Sequence, residues 1–174
     1  LTSAGAGAQP AFEDAGGGAW SLTASGTFNN TANIEISYSK TTQLILENVQ
    51  IASNDGFGIA IYWATSAGFQ GDNDGTVIGL ATTTIADQDR AYLRPGSTGG
   101  TTGDFVNAQL TFWDPTVSGS TWMSGMLTQH ATNGDPSVGF AFAANNGNHS
   151  MTKFKLAVDG TTFASGKYKI LTLN

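Results

Sequence analysis

Cysteine is absent from this chain of 174 residues, which excludes disulfide bonds, thiolate metal sites and a cysteine nucleophile. Charged residues are also scarce, at 11% of the sequence against about 25% in typical soluble domains. The low charge does not indicate disorder, because 40% of the residues are hydrophobic and 23 are glycine. This composition is typical of a β protein with many tight turns and a neutral, polar surface.

A positive net charge and long hydrophobic runs are likewise missing. The net charge of −6 argues against nucleic acid as a partner, because phosphate binding needs a basic patch. No hydrophobic run approaches the roughly 20 residues of a membrane span, so insertion into a membrane is not expected. Four lysines do cluster near the end of the sequence, and we interpret them as exposed residues of terminal strands, where lysine discourages edge pairing. They are Lys153, Lys155, Lys167 and Lys169.

The first 18 residues differ in composition from the rest. Alanine and glycine dominate them, Pro10 breaks the run, and Gly16-Gly17-Gly18 ends it. Residues 1–18 are therefore predicted to form a flexible or extended leader, with a frayed terminus as the alternative. Residues 19–174 are predicted to form a single domain. No signal peptide is visible and the sequence starts at Leu1, which favours a fragment, a processed product or an incomplete record of a longer protein.

The strongest strand pattern lies in residues 151–174. Phe154, Leu156 and Val158 alternate with polar or small residues, which is the period of a half-buried strand. After a turn, a last run of alternating residues follows, and its alternation slips at Ile170-Leu171. Either a bulge shifts the register there, or the end of the strand is covered on both sides.

The remaining sequence repeats this pattern, and no segment has the apolar stripe of a helix. Turn residues separate about ten predicted strands, including one at 76–85 that a polar run at 87–90 interrupts. Such spacing predicts an all-β, antiparallel fold that is either a sandwich or a barrel, and of these we favour a two-sheet sandwich that is jelly-roll-like. Trp20 and Trp63 are expected in its core, whereas Trp113, at a strand end, is expected to be exposed.

Potential metal ligands form one candidate cluster. Asp72 and Asp74 precede Gly75 and could wrap Ca²⁺, but the same residues are ordinary in a turn, and no bidentate glutamate follows. We therefore predict a turn, and neither a metal nor another cofactor. The two histidines, His130 and His149, are interpreted as surface residues, since zinc needs three or four ligands.

No arrangement of catalytic residues is apparent. Glycoside hydrolysis needs two carboxylates about 5–9 Å apart, but most of the 13 acidic residues lie in turns. Glu35 and Glu47 fall on the solvent faces of predicted strands. A Gly-x-Ser-x-Gly elbow is also missing from the sequence. The chain is therefore predicted not to be an enzyme.

Short motifs at both ends and in one early strand are similar to those of one group of proteins. Residues 1–12, LTSAGAGAQPAF, and the GGGAW that follows at 16–20 resemble the LTSxGxGxxPxF/W junction of tail-fibre and related virion proteins of tailed bacteriophages. Residues 44–56 resemble a strand of the form LxLxNV followed by an Asp-Gly turn. The Gly-containing bend and apolar last strand at 163–173 resemble the end of that group's C-terminal β domain.

This resemblance implies a structural protein of the phage particle, a tail-fibre or receptor-binding tip domain that mediates host attachment. It would be located on the virion as a homotrimer. Its partners would be copies of itself, other virion proteins, and a glycan or protein of the host surface. Two alternatives stay open: a capsid decoration or head-fibre protein, and a carbohydrate-binding module of a secreted bacterial protein.

Contacts with a receptor are expected in polar loops and at exposed aromatic rings, since loops carry binding on β scaffolds. Sugar rings stack on tryptophan through their apolar faces, while amide and hydroxyl side chains bind their hydroxyl groups. The loops at 94–103 and 145–150 and the strand end at Trp113 fit this description. The candidate contact residues are Arg94, Ser97, Thr98, Trp113, Asn145, Asn146, Asn148 and His149.

Overall fold

The computed structural model describes residues 20–52, 59–65, 68–69, 75–78, 84–88, 91–92, 105–113, 121–130, 137–145, 151–158 and 160–174. Within these residues the chain forms β-strands and no helix. The strands are β1 (Trp20–Thr27), β2 (Asn33–Ser37), β3 (Thr42–Ile51), β4 (Ile59–Thr65), β5 (Gly68–Phe69), β6 (Gly75–Ile78), β7 (Thr84–Gln88), β8 (Ala91–Tyr92), β9 (Phe105–Phe112), β10 (Thr121–His130), β11 (Ser137–Asn145), β12 (Lys153–Val158) and β13 (Phe163–Leu173).

The predicted all-β, antiparallel, two-sheet fold is confirmed for the described part of the chain. One sheet has 8 strands in the order β1-β13-β3-β9-β10-β11-β6-β7, and the other has 5 strands in the order β2-β12-β4-β5, with β8 also paired to β4. The strand count of about ten is not confirmed. The run predicted at 76–85 is divided between β6 and β7, which pair with each other. Asp87 and Gln88, predicted to interrupt a strand, lie within β7.

The two sheets pack face to face through alternate residues of their strands. Every second side chain is buried in β9 and β12, as the sequence period predicts. Phe112 of the eight-stranded sheet meets Phe154 of the five-stranded sheet, with ring centroids 3.8 Å apart and ring planes 5° from parallel. Both rings are fully buried. The burial of such apolar surface is the main favourable term that holds the sheets together.

The C-terminal lysines do not protect sheet edges, so our interpretation of them is wrong. Strand β12 lies between β2 and β4, and β13 lies between β1 and β3, so both are interior strands. The lysines alternate with buried residues, and those of β12 and β13 therefore project from opposite outer faces of the sandwich. They do not form one basic patch. The error arises because edge position depends on pairing between distant strands, which local alternation does not reveal.

Two of these lysines pair with glutamates on neighbouring strands. Lys153 Nζ lies 3.0 Å from Glu35 Oε2, and Lys169 Nζ lies 2.6 Å from Glu47 Oε1. The glutamate side chains are 44% and 37% exposed, which confirms their predicted solvent faces. Because water screens exposed pairs, each contributes less than about 1 kcal/mol to stability.

The register shift at the end of the eight-stranded sheet lies in β1. From Lys167 to Thr172, β13 pairs with β3 without a shift. The extra residue is Thr23, which interrupts the pairing of β1 with β13. Leu171 and Leu173 are only half-buried on the outer face. The predicted bulge is therefore present at Ile170–Leu171, with its extra residue in β1, and the alternative, a strand end covered on both sides, is wrong.

Two polar groups are buried in the core without a hydrogen-bond partner in the described residues, the Tyr38 hydroxyl and the Trp63 indole N–H. Tyr38 packs edge-on against Phe154, with ring centroids 5.4 Å apart. Burial raises the pKa of the Tyr38 phenol above its usual range. The nearby Trp63 side chain lowers that pKa by less than burial raises it, and the two groups do not reach hydrogen-bond geometry. The hydroxyl is therefore neutral at physiological pH and contributes a desolvation cost.

We expect Tyr38→Phe to raise the free energy of unfolding by up to about 1 kcal/mol, because it removes a buried hydroxyl that gains no compensating bond. Chemical denaturation measures this change. The matched control is Thr42→Val, since the buried Thr42 hydroxyl donates to the Lys40 carbonyl at 2.9 Å. The free energy of unfolding of Thr42→Val should be about 1 kcal/mol lower than that of the parent chain. A similar loss in Tyr38→Phe would show that the phenol has a partner after all.

Candidate binding surface

The outer face of the eight-stranded sheet carries the candidate binding surface. Its side chains alternate with the buried ones along β3, β9 and β10, and strand pairing arranges them in rows across the sheet. One row places Gln43 beside Thr111, and Thr111 beside Ser124. The next outer row places Gln109 beside Met126. The first row is therefore a strip of neutral hydrogen-bonding groups that crosses three strands, whereas in the second row Gln109 lies between the apolar Ile45 and Met126.

Trp113 stands at the end of this polar strip. It directly follows the buried Phe112 at the end of β9, so strand alternation turns its ring towards the outer face. The side chain is 50% exposed, which confirms the exposure predicted from the sequence. Its Nε1–H donates a 3.1 Å hydrogen bond to Ser124 Oγ on the neighbouring strand. This bond orients the ring while half of its surface faces solvent.

Trp63 and Trp20, which were both predicted to lie in the core, differ in their burial. Trp63 lies in the core as predicted, but Trp20 is 38% exposed and its predicted burial is wrong. The bulge at Thr23 is the physical reason, because it leaves Trp20 on the outer face while Ala24 pairs with the buried Ile170. In the sequence, the bulged residue looks like one more polar position of a regular strand.

The structure locates only some of the other candidate residues. Asn145 is the last residue of β11 and pairs with Thr121, and His130 ends β10. The described residues contain no group of three or more His, Asp or Glu that could hold a metal. They also contain no helix long and apolar enough to cross a membrane. The candidates that lie outside the described residues are Arg94, Ser97, Thr98, Asn146, Asn148, His149, Asp72 and Asp74.

Sequence reasoning missed the polar row that includes the hydrogen-bond partner of Trp113. Gln43, Thr111 and Ser124 belong to three strands, and only the pairing of those strands brings them together. Alternation with buried residues was the available signal, since it assigns Gln43 and Thr111 to a solvent face. It does not set the register between strands, which decides the neighbours of each side chain.

Comparisons with protein-family models, with curated proteins and with solved structures find no match to this chain.

Proposed function

We propose that this chain is a non-enzymatic domain of a phage particle, a tail-fibre or receptor-binding tip that attaches the particle to its host. The motifs at 1–12, 44–56 and 163–173 support the phage assignment. The domain would be jelly-roll-like, since the chain changes sheet between β1 and β2 and again between β12 and β13. Three copies would form the assembly, and the loops at 94–103 and 145–150 would add receptor contacts.

The observation that carries the proposal is the exposed and oriented ring of Trp113. A ring that is already held in place loses little conformational freedom when a sugar ring stacks on it, so more of the contact energy contributes to binding. Gln43, Thr111 and Gln109 offer amide and hydroxyl groups on the same face. Because none of these groups is charged, the surface suits a neutral glycan better than an anionic ligand.

Trp113→Ala should weaken binding to a host glycan by about tenfold or more, because truncation of a central tryptophan removes most of its contact surface. The measurement is the migration of the purified chain through native gels, each of which contains a different bacterial surface polysaccharide. Binding to the polysaccharide slows the migration. The parent chain should be retarded by at least one polysaccharide in the panel. Retention should change little between low and moderate salt, since the contacts are uncharged.

The matched control is Trp113→Phe, which keeps a flat ring but loses the N–H that donates to Ser124. It should retain most of the binding, whereas Trp113→Ala should not. Far-UV circular dichroism of both variants checks that the fold is unchanged. If the parent chain is retarded and Trp113→Ala is retarded equally, Trp113 does not contact the glycan and the proposal loses its main support.

A carbohydrate-binding module of a secreted bacterial protein is the second candidate, because an exposed tryptophan beside amide groups suits that role equally well. The two functions differ in assembly. A fibre tip should form a homotrimer and contribute to adsorption of an intact particle, whereas a secreted module should be a monomer. Sedimentation of the purified chain distinguishes the two functions. In a trimer, simultaneous contact through three copies would also strengthen binding at a weak single site.

A further inference from the structure

The second row of the outer face combines an amide group with two apolar side chains. Gln109 of β9 lies between Ile45 of β3 and Met126 of β10. The Gln109 side chain is exposed, Met126 is 54% exposed, and Ile45 is half-buried. We call these three residues the Gln109 row. Its chemistry differs from that of the first row, which is polar throughout, so the two rows suit different groups of a ligand.

The Gln109 amide is available to a ligand. Isoleucine has no polar side-chain atom and the methionine sulfur is only a weak acceptor, so the flanking side chains offer no strong partner. Among the described residues, none forms a hydrogen bond with the Gln109 side chain. Asn107, at the next outward position of β9, differs because its Oδ1 accepts a 2.8 Å bond from the Asn48 backbone N–H. The Asn107 amide therefore holds the fold, whereas the Gln109 amide faces solvent.

An acetamido group has the chemistry that complements the Gln109 row. It carries one N–H, one carbonyl oxygen and one methyl group. The Gln109 amide can donate to that carbonyl or accept from that N–H, while Ile45 and Met126 offer apolar surface to the methyl group. A sugar hydroxyl could form the same hydrogen bond, but it would leave both apolar side chains without a contact. The row therefore favours an acetamido group over a hydroxyl.

We propose that the Gln109 row recognises the acetamido group of an N-acetylated amino sugar, so that the glycan bound on this face contains such sugars. The proposal rests on the proposed function, since it takes the outer face as the glycan-binding surface. Trp113 and Gln109 are four residues apart on the same face of β9, and their backbone positions are therefore about 13 Å apart. Different units of one oligosaccharide along β9 would span this separation, with one unit on Trp113 and another on the Gln109 row.

Two trisaccharides that differ only in the acetamido group test the proposal. Triacetylchitotriose and cellotriose have the same backbone of linked sugar rings, but the first carries an acetamido group where the second carries a hydroxyl. NMR titration of the isotope-labelled chain measures both dissociation constants. The constant for triacetylchitotriose should be at least about fivefold lower, because its acetamido group adds a methyl contact and an amide hydrogen bond. Equal constants, or no binding of triacetylchitotriose, would overturn the proposal.

Gln109→Met and Met126→Gln each remove one part of the row. The first replaces the amide by an apolar side chain of similar length, and the second replaces an apolar side chain by an amide. Each should raise the dissociation constant of triacetylchitotriose at least about threefold and narrow its difference from cellotriose. The matched control is Thr128→Gln, which places the same new side chain as Met126→Gln at the next outward position of β10. It should leave both constants unchanged.

The three substituted side chains are exposed, so the variants should fold, and far-UV circular dichroism checks this. A preference for triacetylchitotriose that survives both Gln109→Met and Met126→Gln would show that the acetamido group binds elsewhere. An equal loss of preference in Thr128→Gln would show that the effect is not specific to the Gln109 row. Either result would overturn the proposal.

The outcome is distinguishable from failure of the proposed function. If Gln109→Met removes the preference and Trp113→Ala binds both trisaccharides as the parent chain does, the acetamido site stands and the role of Trp113 fails. If Trp113→Ala weakens the binding of both trisaccharides but the parent chain shows no preference between them, the glycan surface stands and the acetamido site fails.

Discussion

Phe154→Ala is expected to lower the free energy of unfolding by about 3–5 kcal/mol, the range for a large aromatic side chain removed from a core. Phe154 is fully buried and stacks on Phe112 of the opposite sheet at 3.8 Å. It also packs edge-on against Tyr38. Its removal would leave a cavity between the sheets, where neither sheet can close the gap without moving the other.

Phe154→Leu is the control, because leucine keeps much of the volume and all of the apolar character. It should lower the free energy of unfolding by less than half as much as the alanine variant does. Urea denaturation followed by tryptophan fluorescence measures both. If the alanine variant loses less than about 1 kcal/mol with an unchanged m-value, the two sheets do not depend on this stack.

Gly166→Ala is expected to lower the free energy of unfolding by about 3–5 kcal/mol, because strain and crowding act together. Gly166 has φ 123°, a conformation that residues with a side chain rarely adopt. An added Cβ would lie 2.7 Å from Val49 Cα and 2.9 Å from the Asn48 carbonyl oxygen. Both are backbone atoms of β3, so no side-chain rotation can relieve the contact.

Gly68→Ala separates the two causes. Gly68 has a similar φ of 133°, but an added Cβ would meet no atom of the described residues within 4 Å. Gly68→Ala should therefore lower the free energy of unfolding by about 1–2 kcal/mol, through backbone strain alone. Equal losses in the two variants would show that the close approach of β13 to β3 is unimportant at this point. The same denaturation measurements decide the comparison.

The parts of the fold that the sequence predicts are those set by local alternation. The buried positions of β9 and β12 follow from a period of two, and Trp113 follows from its place directly after a buried residue at a strand end. What the sequence does not predict depends on pairing between distant strands. Trp20 is exposed because of one extra residue in β1, and β12, which carries two of the lysines, is an interior strand because β2 and β4 flank it.

The candidate site was predictable only as a single residue. Trp113 is identifiable in the sequence, but its hydrogen bond to Ser124 and the row of Gln43, Thr111 and Ser124 require the register of β3, β9 and β10. That register is fixed by the packing of the whole buried face and not by any one strand.

The pairing of β1 with β13 also has a consequence for how the chain folds. The hydrogen bond from Ser21 Oγ to Asn174 Oδ1 joins residues 153 positions apart, and β13 is the only described neighbour of β1. Contacts of such long sequence separation slow folding, because the intervening chain must be ordered before they form. At a synthesis rate of about 5–20 residues per second, about 8–30 s would pass between the synthesis of β1 and that of its partner strand. Throughout that interval Trp20 and Leu22 would lack their partners in β13, Leu173 and Leu171, so their apolar side chains would stay more exposed than in the folded chain.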